Sequence, residues 1–157
     1  MSDDIYLTRE FFHKLHDEFA QLKRDSLKIA KEIEAARLQG DLSENAEYDA
    51  AKEAQAYNAA RRADLEDKLA RAKIIEDQDI PGDKIYIGAL ATLRDLDTEE
   101  EATYMLVSPE EASFEDNKIS ILSPIGKALL GHGEGEKLAI KVPAGVLNYK
   151  VLKIRRP

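Results

Sequence analysis

Residues 9–48 read REFFHKLHDEFAQLKRDSLKIAKEIEAARLQGDLSENAEY. Within them Phe12, Leu15, Phe19, Leu22, Ser26, Ile29, Ile33 and Ala36 recur with strict 3-4-3-4 spacing. That is the seam of a heptad repeat, with Ser26 as its polar member. Charged residues fill most other positions, so the pattern predicts a helix with one apolar stripe and wet remaining faces. Thr8 is placed to be the N-cap, its hydroxyl satisfying a free N–H of the first turn. A helix from Arg9 to Leu38 would be about 45 Å long at 1.5 Å per residue.

A second helical stretch runs from about Glu44 to Ile75. Its seam is clear at Leu65, Leu69 and Ala72. Its middle is rich in alanine, and heptad positions there hold Gln55, Asn58 and Arg62, which predicts a weak stretch of seam. Between the two helices lie only residues Gln39 to Ser43. Long helices joined by so short a loop fold back antiparallel. The expectation is a thin hairpin that projects as an arm.

The remainder is built differently. Residues 8–76 hold no proline and one glycine, Gly40, whereas residues 80–157 hold all five prolines and seven glycines. The shift falls at Ile80-Pro81-Gly82-Asp83, which reads as a turn, after the acidic stretch Glu76-Asp77-Gln78-Asp79. The division expected is 1–76 helical, 77–83 linker and 84–157 a second domain. In that domain Ile85, Ile87, Ala89, Ala91 and Leu93 alternate with their neighbours, the period of a strand. Asp97 to Glu101 forms a polar turn, and Ala102 to Val107 resumes extended structure. Leu138, Ile140 and Val142, the turn Pro143-Ala144-Gly145, and Leu147, Tyr149 and Val151 outline a hairpin. One short helix interrupts the strands, with Ser123 as N-cap, Pro124 as first residue and Gly131 as stop. The fold class expected is α+β, a long antiparallel helical hairpin followed by a small antiparallel sheet with one short helix.

Composition excludes several functions. There is no cysteine, hence no disulfide framework and no thiolate metal site. A reducing, cytoplasmic setting suits such a chain. No apolar run approaches the ~20 residues of a membrane span. Lys plus Arg total 23 against 31 Asp plus Glu, a net charge of −8. That opposes broad binding to nucleic acid, so a protein of this charge acting on RNA would borrow its positive surface from a partner.

The bend, Gly40-Asp41-Leu42-Ser43-Glu44-Asn45-Ala46-Glu47-Tyr48, supports two readings. Structurally, Gly40 ends the first helix, Asp41 caps the second, and Glu44 completes a capping box. Chemically, Asp41 and Glu44 form a carboxylate pair at the end of an arm. Magnesium keeps several waters and accepts one or two protein carboxylates, with phosphates supplying the rest. Such a pair is useful beside a second metal and a phosphodiester. The roles are compatible, since each carboxylate has several lone pairs.

That nine-residue run, followed by Ala50-Ala51-Lys52-Glu53, resembles the tip motif of the bacterial Gre transcript cleavage factors. Leu7-Thr8, Ala35-Ala36-Arg37 and Leu65-Glu66-Asp67-Lys68-Leu69 also fit. So do Ile119-Ser120, the segment from Ser123-Pro124-Ile125 to Gly131, and Pro143-Ala144-Gly145. The resemblance spans nearly the whole chain in order. It implies a coiled-coil domain followed by an FKBP-like domain that docks on RNA polymerase. It further implies that the coiled coil enters the secondary channel and brings Asp41 and Glu44 to the active centre. There they would share a Mg²⁺ with the polymerase, whose cleavage of backtracked RNA they stimulate. By this resemblance the chain is a monomeric activator and not an enzyme, with no cofactor of its own. Ser123 and Pro124 are candidate docking residues, although capping the short helix explains both equally.

Three rivals have distinct consequences. A family relative could occupy the channel and inhibit, a coiled-coil adaptor would have no RNA chemistry, and an autonomous nuclease would need more metal ligands than are present. Elsewhere, Arg24, Lys28 and Lys31 read as a solvated stripe, and His13 with His16 lacks a third ligand. Tyr48 and Tyr57 read as packing near the bend. The tail Lys150, Lys153, Arg155 and Arg156 reads as solvating.

Overall fold

The computed structural model describes residues 3–40 and 45–157. Strand β1 (Ile5–Leu7) leads into helix α1 (Arg9–Arg37), and helix α2 (Ala46–Arg71) runs directly into strand β2 (Ala72–Ile74). Strands β3 (Leu90–Asp95), β4 (Glu101–Val107) and β5 (Lys118–Ser120) follow. Helix α3 (Pro124–Leu129) and the hairpin β6 (Lys137–Val142) and β7 (Gly145–Arg155) complete the chain. Two compact units result, Phe12–Ala72 and the union of the residues through Phe11 with Lys73–Pro157.

In the helical unit, cross-helix bonds join Asn45 to Ala36, Asn58 to Leu22 and Arg61 to Glu18. Partner numbers rise on one helix as they fall on the other, so the pair is antiparallel. Thr8 caps α1 as expected, its hydroxyl accepting the Phe11 N–H at 3.2 Å. The second helix is shorter than its pattern. It begins at Ala46 with Asn45 as N-cap, so the cap expected from Asp41 with Glu44 is supplied by Asn45. It ends at Arg71 because the next three residues pair with β1. The weak seam is repaired by polar bonding. Asn58 is 3 % exposed, donates to the Leu22 carbonyl at 2.8 Å and accepts from Arg62 Nε at 2.7 Å. Arg62, itself one of the residues expected to weaken this stretch of seam, thus bonds to Asn58 within it.

The other unit centres on a five-stranded sheet in the order β5-β4-β3-β7-β6. Its pairs are antiparallel except β4 with β5, which is parallel. Ala91, Leu93, Leu106, Ile140, Val151 and Ile154 face a core shared with Leu129 of α3. The strand expected from Ile85 begins instead at Leu90. Gly88 takes φ +87°, breaking the extended run, while Ile85 and Ala89 are still buried. Alternation therefore tracked burial rather than strand. The 3₁₀ turn Ile75–Asp77 is tied to the root of α1, with Glu76 accepting the Arg9 N–H at 3.0 Å and Asp77 pairing with the Arg9 guanidinium.

Glu111 makes the most deeply buried polar contact of this unit. It is 2 % exposed, yet accepts from Thr8 N–H at 2.9 Å, Thr8 Oγ1 at 2.6 Å and Lys118 Nζ at 3.1 Å. The residue that caps α1 is thereby bonded to the turn before β5.

Candidate functional site

Asp41 and Glu44 lie outside the described residues; what the structure defines is how each helix approaches them. At the end of α1, Leu38 and Gln39 fold their N–H groups back onto the Glu34 and Ala36 carbonyls, both at 3.2 Å. Gly40 then takes φ +114°, a left-handed conformation that glycine adopts without strain. On the return side, Asn45 works with both ends of its amide. Its Oδ1 accepts the Tyr48 N–H at 3.1 Å, capping α2, and its Nδ2 donates to the Ala36 carbonyl at 2.8 Å on α1. One side chain therefore satisfies a free donor of one helix and a terminal acceptor of the other. Asn45 was read only as part of the motif. An asparagine one residue before a helical pattern was the available signal, masked by two acids that cap equally well.

Beyond the bend the alanines do what their size allows. Ala36 and Ala51 are buried, at 2 % and 6 % exposure. Further along, Arg61 grips Glu18 through Nε at 2.7 Å and Nη2 at 3.0 Å. The Arg61 hydrogen bond holds the Glu18 carboxyl below its usual range against the opposing effect of burial. His13 and His16 both lie against the Phe12 ring, at centroid distances of 5.8 and 6.3 Å. No group of three or more metal-ligating side chains occurs among the described residues. Tyr57 is exposed rather than packed, at 72 %.

A second candidate surface lies in the sheet unit. Ser123 and Pro124 line an apolar concavity of about 540 Å³, with Tyr104, Phe114, Ile125 and Tyr149 among its other walls. Phe114 is 98 % exposed. Burial pushes the Tyr149 hydroxyl above its ordinary value, so the wall it provides is neutral at pH 7. Ser123 is held in place by two bonds, donating to the Ser120 carbonyl at 2.7 Å and accepting the Gly126 N–H at 3.0 Å. Pro124 follows at the first helical position, where its missing N–H costs nothing. Both residues are fixed by capping, and both also border the concavity.

A helical hairpin with an acid-bearing bend, joined to a mixed sheet carrying one short helix, matches two family models. Residues 5–74 match the transcription elongation factor N-terminal model, and residues 80–156 match the GreA/GreB C-terminal model. The chain belongs to the GreA/GreB family of transcription elongation factors. Its particular likeness is to GreA. It is 49 % identical over 156 residues to transcription elongation factor GreA of Chloroherpeton thalassium, covering 99 % of each chain. With GreA of Syntrophotalea carbinolica it shares 45 % over 155 residues, 98 % of each chain. Among solved structures, GreA factor homolog 1 of Thermus thermophilus is 31 % identical, with 97 % of this chain and 99 % of that one covered and a TM-score of 0.45. No helix among the described residues is long and apolar enough to cross a membrane.

Proposed function

We propose that this chain binds bacterial RNA polymerase, enters its secondary channel and stimulates the polymerase's own cleavage of backtracked RNA. The observation that carries the reading is the capping of α2 by Asn45. On purely structural grounds that cap would fall to Asp41 with Glu44; with Asn45 supplying it, the metal-binding reading of the two carboxylates gains support. Two carboxylates fit a Mg²⁺ that another molecule also holds, since magnesium completes its shell with water and phosphate oxygen. Asp41 and Glu44 would hold that ion. Its chemistry there is to favour an ionised water as nucleophile beside the polymerase's resident metal. The chain's own contribution is to deliver and orient the two carboxylates and the water they accept a hydrogen bond from. It has no turnover of its own. The concavity bordered by Ser123 and Pro124, with Phe114 beside it, is the surface proposed for docking on the polymerase.

The test is a stalled, backtracked elongation complex carrying labelled RNA. Wild type is expected to release short 3′ fragments. The Asp41→Asn, Glu44→Gln double variant is expected to release none while still competing for polymerase. Because both amides keep the shape of the acids, a loss of activity reports charge rather than fold. Equal cleavage by both proteins rejects the carboxylate mechanism. Binding without stimulated cleavage by the wild type favours the inhibitory relative instead.

A further inference from the structure

From Lys137 to Pro157 the chain carries six basic residues and no acidic one, within a protein of net charge −8. Taken singly along the chain they look like ordinary solvated side chains, but the sheet register gathers them. Lys150 stands directly across from Arg94 on β3 and from Lys137 on β6. Cross-strand partners share a face, so three cations form one row over three adjacent strands, about 4.8 Å apart from strand to strand. Thr92 opposite Lys153 and Leu90 opposite Arg155 continue that face. Lys141, four residues after Lys137 on β6, lies on it as well. The other face of the same strands is the core, with Ala91, Leu93, Ile140, Val151 and Ile154.

Like charges directly opposite one another oppose strand pairing, and here two such pairs adjoin with no acid between them. Among the described residues Lys137, Lys141, Lys150, Lys153 and Arg155 make no ion pair. Acids meet the patch only at its borders. Glu101 stands across from Arg94 on β4, Glu99 approaches Arg94 at 3.9 Å, and Glu134 accepts the Ile154 N–H at 2.9 Å. The arrangement is costly to the sheet, and those acids offset Arg94 but not Lys137 or Lys150.

We infer that this face of β3, β7 and β6 contacts the phosphate backbone of duplex nucleic acid. A duplex presents one negative charge per roughly 1.7 Å of axis, which complements a face on which Lys137, Lys141, Lys150, Lys153 and Arg155 make no ion pair among the described residues. The face holds no aromatic ring. Tyr104 and Tyr149 lie opposite Ala91 and Leu138 and pack on the core side. Single-stranded bases need such rings as stacking platforms, so their absence selects the backbone of a duplex. Long lysines and the Thr92 and Thr103 hydroxyls, 2.8 Å apart, suit phosphate and sugar oxygens without reading sequence.

The test is fluorescence anisotropy of the full chain with a labelled DNA duplex of mixed sequence, titrated with salt. Wild type is expected to bind weakly and salt-dependently. Lys137→Gln, Lys150→Gln and Lys153→Gln together are expected to weaken binding by at least about tenfold at low salt. They should also lower the slope of log K against log salt by about three, near 0.9 per phosphate contact. The same charge change placed on α1, at Lys23, Lys28 and Lys31, is expected to leave binding unchanged. Thermal melts check folding, and the sheet triple variant should be no less stable, since it relieves repulsion. Undiminished binding by that variant, or equal loss in the α1 control, overturns the inference. Tighter binding of a single strand, or of polyglutamate at the same ionic strength, overturns the choice of duplex. None of these readouts involves RNA cleavage, so they stand or fall apart from the carboxylate mechanism.

Discussion

Replacing Glu111 by alanine is expected to be the most damaging single charge removal in the sheet unit. Its carboxylate accepts three hydrogen bonds, two from Thr8 and one from Lys118. Glu111 has no exposed side-chain surface, and Lys118 retains 23 %. Bonds to a charged acceptor contribute about 1.5–3 kcal/mol each, though such values do not add. Removing one partner of a buried pair typically costs about 3–5 kcal/mol, because the other is left uncompensated. Thr8 is 8 % exposed, so water cannot readily replace the lost acceptor. The expected loss is therefore about 3–5 kcal/mol, a large share of the roughly 5–15 kcal/mol that holds a domain folded. Urea unfolding followed by far-UV circular dichroism and tyrosine fluorescence measures it. A second variant, Glu111→Leu with Lys118→Met, removes both charges and should recover at least half of the loss. If Glu111→Ala costs less than about 1 kcal/mol, the carboxylate is not the anchor of Thr8 and the reasoning fails.

Gly126→Ala should prevent α3 from packing as it does, because a Cβ there would fall 1.9 Å from the Ser120 carbonyl oxygen, and backbone cannot yield that distance cheaply. The expected loss is several kcal/mol, of the order of ~3 or more for severe overpacking, read as a lower Tm with tyrosine signals already loosened at room temperature. The helical unit should show an acid-dependent weakening traceable to Glu18. Its carboxyl is depressed in the folded chain by Arg61, so the contribution is complete above the unfolded value near ~4.3 and disappears as pH falls through the lower folded value. Comparing Tm of wild type and Glu18→Gln from neutral to strongly acidic pH checks it. The two curves should converge at the acid end, and parallel curves would contradict the assignment.

The heptad period of α1 was legible because nothing in the tertiary structure competes with it. The end of α2 was not. Ala72, Lys73 and Ile74 continue a helical pattern but pair with Ile5–Leu7, a strand of three residues too short to leave a periodic trace. The run from Ile85 alternated as a strand does, and Gly88 at φ +87° shows why alternation alone misled. Ser123 and Pro124 were read correctly as a helix start, since cap chemistry is local. Glu111 was invisible because its partner Thr8 lies 103 residues away. The cationic row was equally hidden, because Arg94 joins Lys150 and Lys137 only through register.

A two-helix unit has little interior, and this one buries few apolar side chains, among them Leu15, Ala36, Ala51 and Leu65. Sliding one helix past the other by a heptad would still bring apolar residues together, so burial alone specifies register poorly. The polar contacts do specify it. Asn58 meets the Leu22 carbonyl, Arg61 meets Glu18 and Asn45 meets the Ala36 carbonyl, at three levels along the pair. A slide would break all three at once, leaving Asn58 buried without its acceptor, a cost of about 1–3 kcal/mol for that group alone. Register decides which residues form the bend. The Asn58 that seemed a flaw in the seam is thus part of what sets the register of α1 against α2.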